Sequence, residues 1–552
     1  MYVYVCVCMC MYVYMCMFMY MYSCMYMYMY VYMYTNTVVD FVVVVFVVES
    51  FIIFIFNYPG LFFPFFLSLD LPLIIESVAS NSSYLRYTSV LPPCTHPSLG
   101  ISSAADGAIN TVAVPLSLVA SIESSGKWPD DKTATIKTKL ALLIRIGNLL
   151  EDQFQIKSLI RSERVCLDVA FGGYMYRLYL NHQHEFQIRT LVSIDFPEDR
   201  ETIINNFVAP LHHTNIHNLS TSHPSFAGAV VMLRYWLDNH LFSSHISTEA
   251  IELIVASVYL DSFTHSSPPS TPVNGFLKAL KLLAEHSWEE FPLYIHFATD
   301  DDDENFADPT KILSLVNQKF LEVRQNHRHF YRMFITSSNE AYLGYQPAFS
   351  RTSPENVVLR MIILQAKKSY QTALNFTYQC LVPLASNNFV PTDIMEQSGH
   401  IFNNCNVIFH FNPALVKKHT DLTASYASVK IYKNASSSSK NSVAFKNLIC
   451  NNDSVCPIQY EIFRKIQSAY GHLALFFWNE LRGDKIYLVW RPKATMVERF
   501  SVVNTRHRLP STSDNGHNDD SSVSTVLLFD AQCVVAEIVA LGDGCIDEIE
   551  FR

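Results

Sequence analysis

At 552 residues the chain has room for about three or four domains of ordinary size. Forty basic against 50 acidic side chains leave a net charge of −10, which excludes diffuse attraction to nucleic acid; RNA contact must come from local patches or from partner proteins. Of 13 cysteines, Cys6, Cys8, Cys10, Cys16 and Cys24 lie at the amino terminus and the rest are scattered without a C-x-x-C pair, so no disulfide framework or zinc site is indicated and the body reads as intracellular and reduced.

Residues 1–34 are almost entirely Met, Tyr, Val and Cys, the four residues that a reiterated ATGT tetranucleotide encodes in one frame. The segment reads as a translated microsatellite. Asp40 is the first charged side chain and Arg86 the first basic one, so a secretory signal is not expected. Phe51 to Leu69 is uncharged and long enough on paper to span a bilayer. Asn57, Pro59, Gly60 and Pro64 interrupt it and no basic flank orients it, so no membrane contact is expected and residues 1–68 are read as low-complexity, aggregation-prone sequence rather than a domain. A membrane tether through an intact Phe51–Leu69 helix is the competing reading.

Ordinary composition begins near Leu69, with an apolar strand pattern followed by Arg86-Tyr87-Thr88. Gly126 and Pro129 mark a turn that feeds an N-cap at Asp130 or Asp131, and a helix then carries Ile136, Leu140, Leu143 and Leu150 on one face. Val165 to Leu180 reads as two strands joined through Gly172-Gly173. His213 and His217 are spaced to share a helix face, but no third zinc ligand is evident, and a packing role is expected.

The stretch from His223 to Ile295 is predicted to be a helical core. Ala227, Val230, Val231, Leu233, Trp236, Leu237 and Leu241 recur at helical spacing. Ser247 is placed to cap a nearly all-apolar helix, Ile251 to Leu260, with Glu249 in its first turn. After Pro268, Pro269 and Pro272 a third helix carries Phe276, Leu277, Leu280 and Leu283, and Phe291 to Phe297 is expected as a short strand. Phe320 to Phe334 is predicted to continue as a helix that lines up Arg324, Arg328 and Arg332 as a phosphate-contact face. A plain solvated face is the competing reading. Lys417-Lys418 is a further small basic spot. Near the end, Ala469 to Trp478 is expected to leave a helix and enter a strand, Gly483-Asp484 to turn, and Lys485 to Trp490 to form a second strand, while Ala435–Ser442 and Pro510–Ser524 read as loops.

The strings RYWLDNHL, EAIELIVASVYL and GFLKALKLLAEHSW resemble the helical partner domain of poly(A) polymerases and oligoadenylate synthetases. More closely, together with ESSGKWPDD, FVPTDIMEQSGHIFNNCNVIFHFNP and IQSAYGHLALFFWNELRGDKIYLVWRP, they resemble the nucleolar RNA-associated protein (Nrap) family, over roughly residues 69 to 552. The resemblance implies an α+β chain of three modules: a degenerate polymerase-beta-like nucleotidyltransferase domain at 69–206, a helical poly(A)-polymerase/oligoadenylate-synthetase-like domain at 207–368, and a mixed α/β domain at 369–552. It implies a nucleolar scaffold, without cofactor, that binds pre-ribosomal RNA and proteins of the small-subunit processome, with Arg234, Arg324, Arg328, Arg332, Lys417 and Lys418 as candidate RNA contacts.

Departures from the family pattern bear on both chemistry and RNA contact. Where the family's helix reads Arg-Leu-Ala-Lys-Arg-Trp, this chain has Val231, Arg234, Tyr235 and Trp236 in the first, fourth, fifth and sixth places, and Cys405-Asn406 stand where the family has Tyr-Asp. An active polymerase-beta-like enzyme uses a Gly-Ser turn, an Asp-x-Asp pair and a third acid to hold two magnesium ions. This chain has no Gly-Ser dipeptide, its Asp-x-Asp matches (Asp300/Asp302 and Asp301/Asp303) fall in an acidic run far from a palm strand, and Asp168, read as a sheet-edge residue, is a lone candidate for the third acid. The chain is therefore expected not to be an enzyme; the alternative is an active RNA nucleotidyltransferase of the poly(A)- or CCA-adding type.

Overall fold

The apolar strands after Leu69 assemble into a five-stranded sheet in the computed structural model of the chain, which describes residues 71–90, 115–123, 128–129, 131–171, 174–182, 197–260, 267–297, 309–326, 332–351, 353–381, 404–413, 458–481, 483–501, 505–512, 525–542 and 544–552. The strands are β1 (Ile75–Ser80), β2 (Leu116–Ile122), β3 (Ser158–Arg161), β4 (Cys166–Phe171) and β5 (Tyr174–His182), in the order β1-β2-β5-β4-β3. β2 and β5 pair in parallel and the others antiparallel. A parallel pair requires a crossover, and its main element is α1 (Lys132–Phe154). Asp131 caps that helix, accepting the Ala134 N–H at 2.9 Å. Leu143, Ile146 and Leu150 turn its apolar stripe inward. Phe171 pairs with Tyr174, which closes the expected hairpin.

Helices follow. α2 (Pro197–Ile203) passes through a π-helical turn (Ile204–Val208) into α3 (Ala209–Ser222), then α4 (Ser225–Asn239), α5 (Thr248–Leu260) and α6 (Pro272–Glu285). Ser247 caps α5 as expected, its Oγ 3.1 Å from the Ala250 N–H. Val230, Leu233, Trp236, Leu237 and Leu241 are buried, with Ala227 and Val231 half-buried at the margin of the same stripe. Two expectations need correction. The strand sought over Phe291–Phe297 is only β6 (Leu293–Ile295), which pairs in parallel with β7 (Ile335–Ser337). The helix sought over Phe320–Phe334 is the end of α7 (Pro309–Asn326); Phe334 is instead buried beside β7, edge-on to Phe320 with ring centroids 5.3 Å apart. α8 (Asn356–Leu381) then runs through the expected 368/369 division.

The last module comprises β8 (Val407–Phe411), α9 (Ile458–Tyr470), β9 (Ala474–Trp478), β10 (Lys485–Trp490), β11 (Glu498–Arg499), β12 (Arg508–Thr512), β13 (Thr525–Phe529), α10 (Ala531–Leu541) and β14 (Ile546–Phe551). β14, β8, β10 and β9 form a four-stranded antiparallel sheet in that order, and β8, β10 and β9 are buried on both faces. Alternation along each strand sends Val407, Phe409, Phe476, Trp478, Ile486 and Leu488 toward α9 and α10. It sends Ile408, Leu475, Phe477 and Tyr487 into the same core as α4, α5, α6 and α8. Double-sided burial is why these strands read as continuous apolar runs. Gly483 takes the left-handed conformation (φ 62°) in the expected turn between β9 and β10. Pro510, expected in a loop, lies in β12 opposite Leu527; β12 is an edge strand, where a missing N–H is tolerated.

Residues 65–552 form one compact unit. Among the described residues no helix is long and apolar enough to cross a membrane, and Phe51–Leu69 lies outside them.

Candidate functional site

The seam between the five-stranded sheet and the helices is built around one guanidinium group. After β1 the chain makes a single 3-10 turn, Ser83–Arg86, and Tyr87 stops it in the left-handed conformation (φ 63°). That reversal turns Arg86 inward, where only 1 % of the residue is exposed. Its Nε donates to Glu252 Oε1 at 3.1 Å, its Nη1 to the Asn81 carbonyl at 3.1 Å and its Nη2 to Glu249 Oε1 at 3.4 Å. Glu252 is wholly buried on α5 and accepts two more donors, the Thr88 hydroxyl and His212 Nε2 of α3, the latter at 2.6 Å. Burial alone would push its carboxyl up; the Arg86 charge and the bonds from His212 and Thr88 outweigh that and hold it at about 2. Arg234 of α4 ties the same turn, donating to the Thr88 carbonyl at 2.7 Å.

His213 and His217 do share a face of α3, stacked at 6.1 Å, with Tyr87 at 6.0 Å from His217. Burial, reinforced by the Arg86 charge, drives His213 down to about 3, so it is neutral at physiological pH. No cluster of three or more metal-ligating side chains occurs among the described residues. The pair packs the seam.

Asp168, the lone palm carboxylate with a candidate metal role, is not at a sheet edge. β4 lies between β3 and β5, and cross-strand register sets Asp168 opposite Arg177. Arg177 donates Nε to Oδ1 at 2.7 Å and Nη2 to Oδ2 at 3.0 Å, and Arg161 donates Nε to Oδ2 at 2.5 Å. Asp168 and Arg177 are both wholly buried. Three N–H bonds fill most of the carboxylate's acceptor positions, and the two guanidinium charges repel a cation. The Asp-x-Asp matches at 300–303 lie outside the described residues.

Of the candidate RNA contacts, Arg234, Arg324 and Arg332 are among the described residues, and Arg324 and Arg332 are neighbours. Arg332 lies outside any helix, so Arg324 and Arg332 do not share a helical face, and Arg328 lies outside the described residues. Arg324 folds back, its Nη2 donating to the Trp288 and Arg332 carbonyls at 2.9 and 3.2 Å and its guanidinium 5.1 Å over the Phe320 ring. Arg234 is committed to Thr88, as above. Lys417 and Lys418 lie outside the described residues. Asn406, where the family pattern has an acid, uses its Oδ1 to accept the Trp490 N–H at 2.9 Å and so stitches β8 to the end of β10.

A second seam joins the helices to the last module. Asp238, at the end of α4, accepts Ser243 Oγ and the Glu480 N–H at 2.8 Å each, and the Leu481 N–H at 3.2 Å. Burial pushes its carboxyl up to about 6, despite these bonds. His245 donates Nε2–H to the Phe476 carbonyl at 3.0 Å, and burial lowers it to about 4. Sequence reading missed both seams. The available signals were Glu252, a lone acid inside an apolar helix, and Asp238 at the foot of an apolar stripe: each buried charge needs a partner.

Comparison with known proteins fits this organisation. Residues 66–221 match the family described as Nrap protein nucleotidyltransferase domain 4, residues 223–385 Nrap protein PAP/OAS1-like domain 5, and residues 402–549 Nrap protein domain 6. Nucleolar protein 6 of Xenopus tropicalis is 24% identical over 513 residues, 88% of this chain and 41% of that protein. Nucleolar protein 6 of Homo sapiens is 22% identical, covering 87% of this chain and 40% of that protein. U3 small nucleolar RNA-associated protein 22 of Saccharomyces cerevisiae is 27% identical over 43% of this chain and 20% of its own length. The chain thus spans about two fifths of the length of the animal relatives.

Proposed function

We propose, since the chain belongs to the Nrap family, that it is a non-catalytic scaffold of small-ribosomal-subunit biogenesis, acting in the nucleolus on pre-ribosomal RNA and processome proteins. Its relatives carry nucleolar names and one is named for association with U3 small nucleolar RNA, and we extend that setting to this chain. The observation that carries the non-catalytic reading is the clamp of Arg161 and Arg177 on Asp168. Phosphoryl transfer on this fold depends on carboxylates that bridge metal ions to the nucleotide; here Asp168 instead holds two arginines and ties three strands. The Arg86–Glu252 seam supports the same reading. A catalytic cleft must admit nucleotide and RNA between palm and helical domain, whereas at Arg86 and Glu252 this boundary is closed by a desolvated ion pair.

Crosslinking followed by sequencing of the RNA retained by a tagged chain tests the proposal. Enrichment of small-subunit precursor ribosomal RNA is expected. Enrichment confined to RNA 3′ ends carrying added nucleotides would sink the scaffold reading and favour a terminal transferase.

A further inference from the structure

One long helix carries an outer face that stays exposed among the described residues. α8 buries Val358, Leu359, Ile362, Ala366 and Ala373, and Ser369 Oγ accepts the Trp236 Nε1–H at 3.1 Å, so this side is fixed in the core. On the other side Val357 is 52% exposed, Leu364 68% and Leu374 38%, and Arg360, Lys367, Lys368 and Gln371 stand among them in solvent. At 3.6 residues per turn all seven fall within an arc of about 120°. The helix contains three cations and not one Asp or Glu, in a chain whose net charge is −10. Among the described residues one acid pairs with a cation of this face, Glu289, whose Oε1 lies 3.7 Å from Arg360 in an exposed pair; such a pair is weak.

We propose that this face of α8 is a docking surface for an acidic amphipathic helix of a partner protein, with aliphatic side chains at helical spacing flanked by Glu or Asp. Both halves of the surface point to that chemistry. RNA phosphates would take the lysines but leave Val357, Leu364 and Leu374 in water, whereas an apolar stripe bordered by carboxylates covers the aliphatic side chains and pairs the cations. A second copy of this chain fits poorly, because it would set Lys367 and Lys368 against their own counterparts. The proposal rests on the α8 surface alone and does not depend on the assignment to ribosome biogenesis.

The test is fluorescence anisotropy on the full chain at about 0.1 M salt. The probe is a labelled, amino-terminally acetylated peptide of about 20 residues, Leu at heptad spacing and Glu at the flanking positions. A peptide of the same composition scrambled to break the spacing, and a short RNA hairpin, serve as comparisons. Saturable binding in the micromolar range is expected, weaker by about tenfold or more with the scrambled peptide, with the double substitution Lys367→Glu/Lys368→Glu and with Leu364→Ser. All three positions are exposed, and circular dichroism verifies that each variant keeps its helix content. The proposal is overturned by equal binding of the scrambled peptide, by an affinity that neither variant changes, or by hairpin binding that charge reversal abolishes while peptide binding persists. Dimerisation of the chain that Leu364→Ser abolishes would assign the face to a second copy and overturn it equally.

Discussion

Arg86 and Glu252 lie 166 residues apart in sequence and form a buried ion pair, Nε to Oε1 at 3.1 Å, with 1 % and 0 % of the side chains exposed. Removing one partner of such a pair leaves the other charge desolvated, at a cost of about 3–5 kcal/mol. Arg86→Ala is therefore expected to destabilise the chain by that amount in urea unfolding. Replacing the pair together, Arg86→Met with Glu252→Met, should recover part of the loss because neither charge of the pair is left buried alone, although His212 loses its acceptor. A double variant as unstable as the sum of the singles would mean the seam is held by something other than this pair.

Gly275 of α6 lies at the crossing with α4. A Cβ there would sit 2.8 Å from Ala229 Cβ and 2.5 Å from Tyr259 Oη. Tyr259 is itself held by Ser225 Oγ at 3.0 Å, so it cannot swing aside freely. Gly275→Ala is expected to lower stability by about 1–3 kcal/mol despite the better helix propensity of alanine. A stabilised variant would show that the two helices can separate without loss.

The helical module was legible because its sequence patterns agree across levels: the Ser247 cap, the α4 stripe and the α6 stripe each match what is buried. The β9–turn–β10 unit was legible because Gly483 supplies a positive φ where the chain must reverse. Of the expected arginine face, Arg324 and Arg332 do not lie on one helix. Spacing of four makes a common face only while the helix continues, and Arg332 is not helical. Arg324 then does what a half-buried guanidinium does near free carbonyls, and binds them. The seams were illegible because their partners, Arg86 with Glu252 and Asp238 with Glu480, lie far apart in sequence and no local pattern pairs them.

Arg324→Gln should accordingly act on stability. Losing charge-assisted bonds to the Trp288 and Arg332 carbonyls is expected to cost about 1.5–3 kcal/mol, read as an earlier urea midpoint. RNA affinity changing in a folded Arg324→Gln variant, with the midpoint unmoved, would restore the phosphate-contact reading for this residue.

The second seam predicts opposing pH responses. His245 is lowered to about 4 by burial, so protons favour the unfolded chain and its contribution to stability is lost as pH falls from about 6.5 toward 4. Asp238 is raised to about 6 by burial, so the folded state holds its proton more tightly; its contribution is full below about 4 and is lost as pH rises through 6. Between pH 4 and 6 the two slopes oppose each other. His245→Asn should flatten the acid loss of stability in that window, and Asp238→Asn should steepen it by about 2–3 kcal/mol across the window. Parallel stability curves for wild type and both variants would mean that neither group is buried in the charged-form sense required.

The most direct measurement is nucleotide incorporation by the purified chain. It is incubated with magnesium or manganese, labelled nucleoside triphosphates and RNA primers. If Asp168 serves as the anchor of Arg161 and Arg177, no label enters RNA above the protein-free background, and Asp168→Asn changes only stability. Incorporation that depends on the divalent ion and disappears in Asp168→Asn would contradict the reading of this sheet as architecture.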